Sequence, residues 1–522
     1  MSFVYSDVAL LLCVLGAAKH METLSARKVS ALAFTGIRAS DSFGASVTGL
    51  ADLNGDMLPD AVIGAPFDDS GGSDCGAVYV TFLSVDGGVK SFQKVANGKG
   101  SLTAVLSTGD LFGSAVASLG DWDLDLVPDV AAAAGRSNCG SFDAGALYFL
   151  FLSTVGHVKS FRKICQSVGG FTGTLAISGY FGDSVTAVPD LNADAIQDLV
   201  VGQPNGNSAC GQVYVIFLDT APGSLKSFKK LADGGNGFSG SLSSGDNFGG
   251  SLSAFGDLNG DAIGELAVGA PLGNSTDQGE VFIIFLATNG YVLSFQRISA
   301  TRGRFTAVIM SSDRFGHAVA SLGDIDGDQV PDLAASSCQL DDGGTDRGAV
   351  YFLFLDTTGE VKSFQKLSDT VGLVFTARLD NFDKFGTSLS AILDFNIDAI
   401  PDLLVGAAYD DDAVGDGGAV YVVAMGGQCS AAVSCCICVR ALLRHTLTLR
   451  YRHVYLTMRE SLYGSFCRKC QDFIVLLLRR TVLATPETVI ERQHELALRH
   501  APLATLTIIT VPDKPIHACR VR

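Results

Sequence analysis

The sequence of 522 residues contains one Trp, eight His and no apolar run of the roughly 18 to 20 residues that a bilayer-spanning helix needs. The stretch Phe473 to Leu478 is a short patch only, so no transmembrane span is expected. Before residue 428 the only histidines are His20, His157 and His317, and no nucleophile motif accompanies them. Acid–base or nucleophilic catalysis therefore has few candidate groups, and His317, beside a Phe-Gly pair, reads as a packing residue. Bases are scarce as well. Residues 1–427 carry 48 acids against 23 bases, a net charge of −25, whereas residues 428–522 carry 6 against 14, a net charge of +8. A surface so poor in Lys and Arg does not suit nucleic acid, whose phosphates must be neutralised. It suits cations.

What is abundant is Gly, with 60 residues, and Phe, with 32, in a chain that is 47% hydrophobic, which fits many short strands joined by tight turns. Phe-Gly pairs recur at Phe43-Gly44, Phe112-Gly113, Phe181-Gly182, Phe248-Gly249, Phe315-Gly316 and Phe385-Gly386, spaced by 67 to 70 residues. Each opens one repeat unit. A short alternating strand such as FGASVTGL comes first, then an acidic loop, then an apolar strand broken by Gly and Pro, as in DAVIGAP at Asp60 to Pro66. The third strand, AVYVTFL at Ala77 to Leu83 and AVYFLFL at Ala349 to Leu355, is apolar throughout and must be covered on both faces. The fourth, VKSFQKV at Val89 to Val95, alternates like a half-exposed outer strand.

Four antiparallel strands per repeat describe an all-β fold, a β-propeller of four-stranded blades with six repeats. The sixth unit stops after its third strand, AVYVVAM at Ala419 to Met425, but SARKV at Ser25 to Val29 matches SFQKV at Ser91 to Val95. The N-terminal strand is expected to complete the last blade and close a six-bladed ring, which removes open edges. A ring of seven blades is the alternative.

The acidic loop has nine residues, with carboxylates or amides at positions 1, 3, 5 and 9 and an aliphatic residue at position 7. In the first four units these positions are Asp52, Asn54, Asp56, Leu58 and Asp60; Asp121, Asp123, Asp125, Val127 and Asp129; Asp190, Asn192, Asp194, Ile196 and Asp198; and Asp257, Asn259, Asp261, Ile263 and Glu265. The last two have Asp324, Asp326, Asp328, Val330 and Asp332, then Asp394, Asn396, Asp398, Ile400 and Asp402. Calcium takes six to eight oxygens, which alternate side chains and one backbone carbonyl can supply. Three or four carboxylates crowded together repel unless a cation offsets them, so Ca2+ explains the pattern better than solvated turns do. An EF-hand is excluded, because position 12 of the first loop is Ile63 and a strand follows.

The Phe-Gly start, the acidic loop and Gly-Ala-Pro at Gly64 to Pro66 and Gly269 to Pro271 resemble the FG-GAP repeat of integrin α-subunit propellers, over residues 25–427. The resemblance implies that loop positions 1, 3, 5 and 9 ligate calcium through side chains and position 7 through its carbonyl. Two departures stand out: integrin propellers have seven blades, and Gly is usual at position 6, where this chain has Met57, Leu126, Ala195, Ala262, Gln329 and Ala399. The implied function is an extracellular or cell-surface adhesion scaffold, not an enzyme, with a protein or glycan ligand at a propeller face. An accessory domain of a hydrolase-type enzyme, or a lectin-like propeller, is the alternative.

Outside the repeats, residues 1–24 read as a signal peptide or a lead-in. Val8 to Ala18 forms an apolar stretch before small residues, against which stand Asp7 and the lack of a basic start. Asn274-Ser275-Thr276 is a glycosylation sequon in a secreted protein. Thirteen Cys form no regular disulfide framework, since Cys75 and Cys210 share a repeat phase and fall in different blades. Residues 428–522 form a basic tail in which Cys467 and Cys470 have zinc-ligand spacing without a regular second pair.

Overall fold

A computed structural model describes residues 21–274, 276–371, 379–395 and 400–427, together with residues 506–507 and 520–521. The apolar stretch at Val8 to Ala18, the sequon's Ser275, loop residues Asn396 and Asp398, and Cys467 and Cys470 lie outside the described residues. The chain divides into two compact units, residues 1–427 and 428–522. In the second, Leu506–Thr507 pairs antiparallel with Arg520–Val521.

In the first unit six four-stranded antiparallel sheets follow one another, and no helix among the described residues exceeds a single 3₁₀ turn at Ala31–Ala33. Blade 1 runs Ser46–Leu50, Asp60–Ala65, Ala77–Leu83 and Val89–Ala96 in order. Blade 6 contributes Ser388–Ile392, Asp402–Ala407 and Ala419–Gly427, and its fourth strand is Met21–Ser30. Val29 pairs with Val420 and Ser25 with Ala424. The ring is therefore six-bladed and closed by the N-terminal strand. That strand begins at Met21, inside the segment read as a lead-in.

Burial follows the pattern in the sequence. Every residue of the third strands of blades 1 to 5 is buried, while the fourth strands expose their second and third residues. The first strands surround a cavity of about 250 Å³ lined by small and β-branched side chains, among them Thr48, Thr186, Ser253 and Ser390.

The Phe-Gly pair is the clasp between blades. All six phenylalanines are fully buried. Each ring meets the aromatic ring of its own third strand edge-on, at 5.2 to 5.9 Å between centroids, an arrangement worth about 0.5 to 1.5 kcal/mol beyond the area buried. The Phe amide donates to a carbonyl just before the third strand of the preceding blade, as from Phe112 to Cys75 at 2.9 Å and, across the closure, from Phe43 to Gly417 at 3.0 Å. Glycine must follow. At Gly44, φ is +90° and a Cβ would lie 2.5 Å from the Ala419 carbonyl oxygen.

Candidate functional site

Each of loops 1 to 5 joins the first strand of its blade to the second and is held by its own carboxylates. In loop 1, Asp52 Oδ1 accepts the amides of Gly55 and Asp56 at 2.7 and 3.0 Å, and Oδ2 accepts that of Met57 at 2.6 Å. Asp257 and Asp324 do the same in loops 4 and 5, and Asp121 and Asp190 accept from positions 5 and 6 of theirs. The position 5 carboxylate takes the position 7 amide at 2.8 to 3.1 Å in loops 1 to 5. Carboxylate oxygens have further lone pairs to offer a cation.

This wrapping forces positive φ at position 6, where Met57, Leu126, Ala195, Ala262 and Gln329 lie between 66° and 71°. Position 4 is left-handed too, at Leu124 with φ 62° and Ala193 with φ 61°, where loops 1, 4 and 5 have Gly. A non-Gly residue there costs about 1 to 2 kcal/mol. The position 7 side chains Val127, Ile196, Ile263, Val330 and Ile400 pack against the cores of the blades.

Position 9 has a second duty. Asp60, Asp129, Asp198, Asp332 and Asp402 are fully buried, and each ties position 2 of its loop to the end of the third strand. Asp129, for example, accepts from Trp122 and from Leu152, both at 3.1 Å. Burial pushes four of these carboxyls up, to about 6 for Asp60 and Asp198 and about 7 for Asp129 and Asp332. Glu265, one methylene longer, is raised to about 7 by the same cause. It accepts the Leu258 amide and receives the Asn259 side-chain amide at 3.2 Å.

Three carboxylates gather with oxygens within 4.8 Å of one another in loop 2 (Asp121, Asp123, Asp129), loop 4 (Asp257, Asp261, Glu265) and loop 5 (Asp324, Asp326, Asp332). No such trio forms among the described residues of loops 1 and 3. Asp123 Oδ1 is buried without a hydrogen-bond partner, an acceptor directed at no donor of the protein. An all-oxygen set of this kind fits a hard divalent cation of the calcium class.

Sequence reasoning missed the lysines. Lys90 Nζ lies 2.9 Å from Asp56, and Lys226 Nζ 2.9 Å from Asp194. Lys159 and Lys362 each reach two carboxylates, Asp123 with Asp125 and Asp326 with Asp328. All four occupy the second position of a fourth strand, and that alignment was the available signal.

His317 is lowered to about 4 by burial and is neutral at physiological pH. A disulfide joins Cys139 to Cys165 within blade 2, whereas Cys75, Cys210 and Cys338 are free thiols. Among the described residues the bridge does not recur in another blade.

The FG-GAP repeat model matches residues 181–216 and 248–284, the opening halves of blades 3 and 4. The chain is a six-bladed β-propeller with FG-GAP repeats in blades 3 and 4. Its relatives include integrin alpha-4 of Xenopus laevis, 26% identical over 59% of this chain and 26% of that protein, and Xenopus laevis integrin alpha-5, 34% identical over 44% and 20%. Integrin alpha-PS2 of Drosophila melanogaster is 29% identical over 43% of this chain and 15% of that protein. The chain thus covers about a quarter or less of these relatives' length. Among solved structures, a Dos1 propeller superposes with a TM-score of 0.34 at 12% identity, over 74% of this chain and 70% of that one.

Proposed function

We propose that this FG-GAP propeller is a calcium-binding, non-catalytic recognition scaffold of the extracellular space or cell surface. The observation that carries the reading is the gathering of three carboxylates in loops 2, 4 and 5, with the Asp123 acceptor left unmet by the protein. Positions 1, 3, 5 and 9 of each loop would hold the ion through side-chain oxygens and position 7 through its carbonyl. The ion would offset the mutual repulsion of the carboxylates and stiffen the loops. The partner would be a protein or glycan received on the loops of a propeller face, as the integrin alpha likeness favours. The acidic propeller argues against nucleic acid, and the Cys139–Cys165 bridge suits an oxidising compartment.

The test is thermal unfolding of the full chain at millimolar calcium and after chelation. Calcium modules of the extracellular space bind with Kd of about 10⁻⁴ to 10⁻³ M, so each occupied site adds roughly 0.4 to 1.4 kcal/mol at ~1 mM. Chelation is expected to lower the melting temperature clearly, and Asp324→Ala to remove one site's share of that shift. A melting curve indifferent to chelation contradicts the proposal.

A further inference from the structure

Loops 1, 3 and 4 share the pattern Asp-x-Asn-x-Asp, with three carboxylates each, yet they differ in what stands beside position 5. In blades 1 and 3 the second residue of the fourth strand is Lys90 or Lys226, whose ammonium lies 2.9 Å from the position 5 carboxylate. In blade 4 the corresponding residue is Leu293, which is largely exposed, and Asp261 Oδ2 receives only the Asn259 amide, at 3.1 Å. Loops 2 and 5 carry a fourth carboxylate, at position 3, and there the lysine spans positions 3 and 5 together: Lys159 meets Asp123 at 3.5 Å as well as Asp125, and Lys362 meets Asp326 at 3.2 Å as well as Asp328.

An ammonium placed between two would-be calcium ligands stands where a divalent cation would draw its oxygens together. Both cannot be served at once: the ion must displace the lysine head or accept its repulsion at a few ångströms. We propose that the fourth-strand lysines Lys90, Lys159, Lys226 and Lys362 are built-in competitors that set the cation threshold of their loops, leaving loop 4, with Leu293, as the loop of highest affinity among loops 1 to 5. The proposal rests on the calcium reading above. Its consequence is a graded response, in which loop 4 fills before the lysine-bearing loops, which fill as calcium rises.

The one Trp of the chain makes this testable loop by loop, since Trp122 is position 2 of loop 2. Terbium takes calcium-type oxygen ligands and luminesces when energy passes to it from a nearby indole, so excitation at the red edge of indole absorption reports loop 2 alone. Full-length protein is titrated with Tb³⁺ as wild type, Lys159→Met and Lys159→Arg. Removing the charge is expected to lower the half-saturating Tb³⁺ concentration about five- to tenfold in Lys159→Met. Lys159→Arg, which keeps the charge, is expected to stay within about twofold of wild type. A Lys159→Met midpoint equal to or weaker than wild type overturns the proposal, as does an Arg variant that shifts as far as the Met variant. Absence of sensitised emission from all three overturns the calcium reading itself and the proposal with it. In the reverse direction, calorimetry with calcium on Leu293→Lys is expected to show one tight site weakened by a similar factor, and a binding isotherm identical to wild type overturns the assignment of loop 4.

Discussion

In blades 1, 3, 4 and 6 the residue three places after the Phe of the Phe-Gly pair is serine, whereas in blades 2 and 5 it is Ala115 or Ala318. The four serines lock each blade to the next. Ser46 donates to the Gly113 carbonyl at 2.8 Å, Ser184 to Gly249 at 2.6 Å, Ser251 to Gly316 at 2.9 Å and Ser388, across the closure, to Gly44 at 2.8 Å. The facing residue of the second strand is then glycine: a Cβ on Gly64, Gly202, Gly269 or Gly406 would lie 2.1 Å from that same carbonyl oxygen. Blades 2 and 5 have Ala133 and Ser336 at this place, and there the neighbouring Phe-Gly glycine packs against a real Cβ. In blade 5 the hydroxyl has moved strands, and Ser336 accepts the Ala318 amide at 2.9 Å. The glycine of the Gly-Ala-Pro signature is thus required by a carbonyl that the serine pins in place. Where the serine is gone, the glycine is free to go too. Blades 2 and 5 also share nine-residue first strands and Asp at loop position 3, so the order of blades 1 to 3 repeats in blades 4 to 6.

Substitutions at the two kinds of interface separate this account from simple repeat drift. Gly64→Ala is expected to cost the most, about 2 to 4 kcal/mol by chemical denaturation, because backbone has to move to admit the methyl group. Ser388→Ala should cost about 1 to 3 kcal/mol, since it leaves the buried Gly44 carbonyl without its donor and does so at the seam that closes the ring. Pairing Ser46→Ala with Gly64→Ala imitates blade 2, and the double variant is expected to lose measurably less than the sum of its single variants. Ala133→Gly should cost no more than about 1 kcal/mol, the backbone entropy of glycine in a strand. Equal costs for Gly64→Ala and Ala133→Gly would erase the distinction between the two kinds of blade.

The propeller was legible in the sequence because its signals are local and repeated: a Phe-Gly pair in each unit, a continuously apolar third strand, and SARKV as the displaced copy of SFQKV. The loops were legible for the same reason, as spacing alone aligns Asp52 with Asp121 and Asp190. What escaped the reading joins residues distant along the chain. The Ser46–Gly113 bond crosses between blades, and the Lys159–Asp125 pair connects a fourth strand to a loop 34 residues earlier in the chain. Lys90 read as the wet side of an outer strand because alternation alone does not reveal what the wet side faces. The second duty of Asp60, binding the Leu53 and Leu83 amides, was hidden behind its place in a ligand pattern. The left-handed residues Leu124 and Ala193 were hidden because neither is a residue type that marks such a turn.

The most direct test of the central claim is a calorimetric titration of the full-length, chelator-treated protein with calcium. The account predicts saturable uptake at submillimolar to millimolar calcium by more than one site, with the uptake reduced by one site in Asp257→Ala and in Asp324→Ala. A titration that shows no heat of binding through millimolar calcium, with the protein folded, would contradict the assignment of the acidic loops.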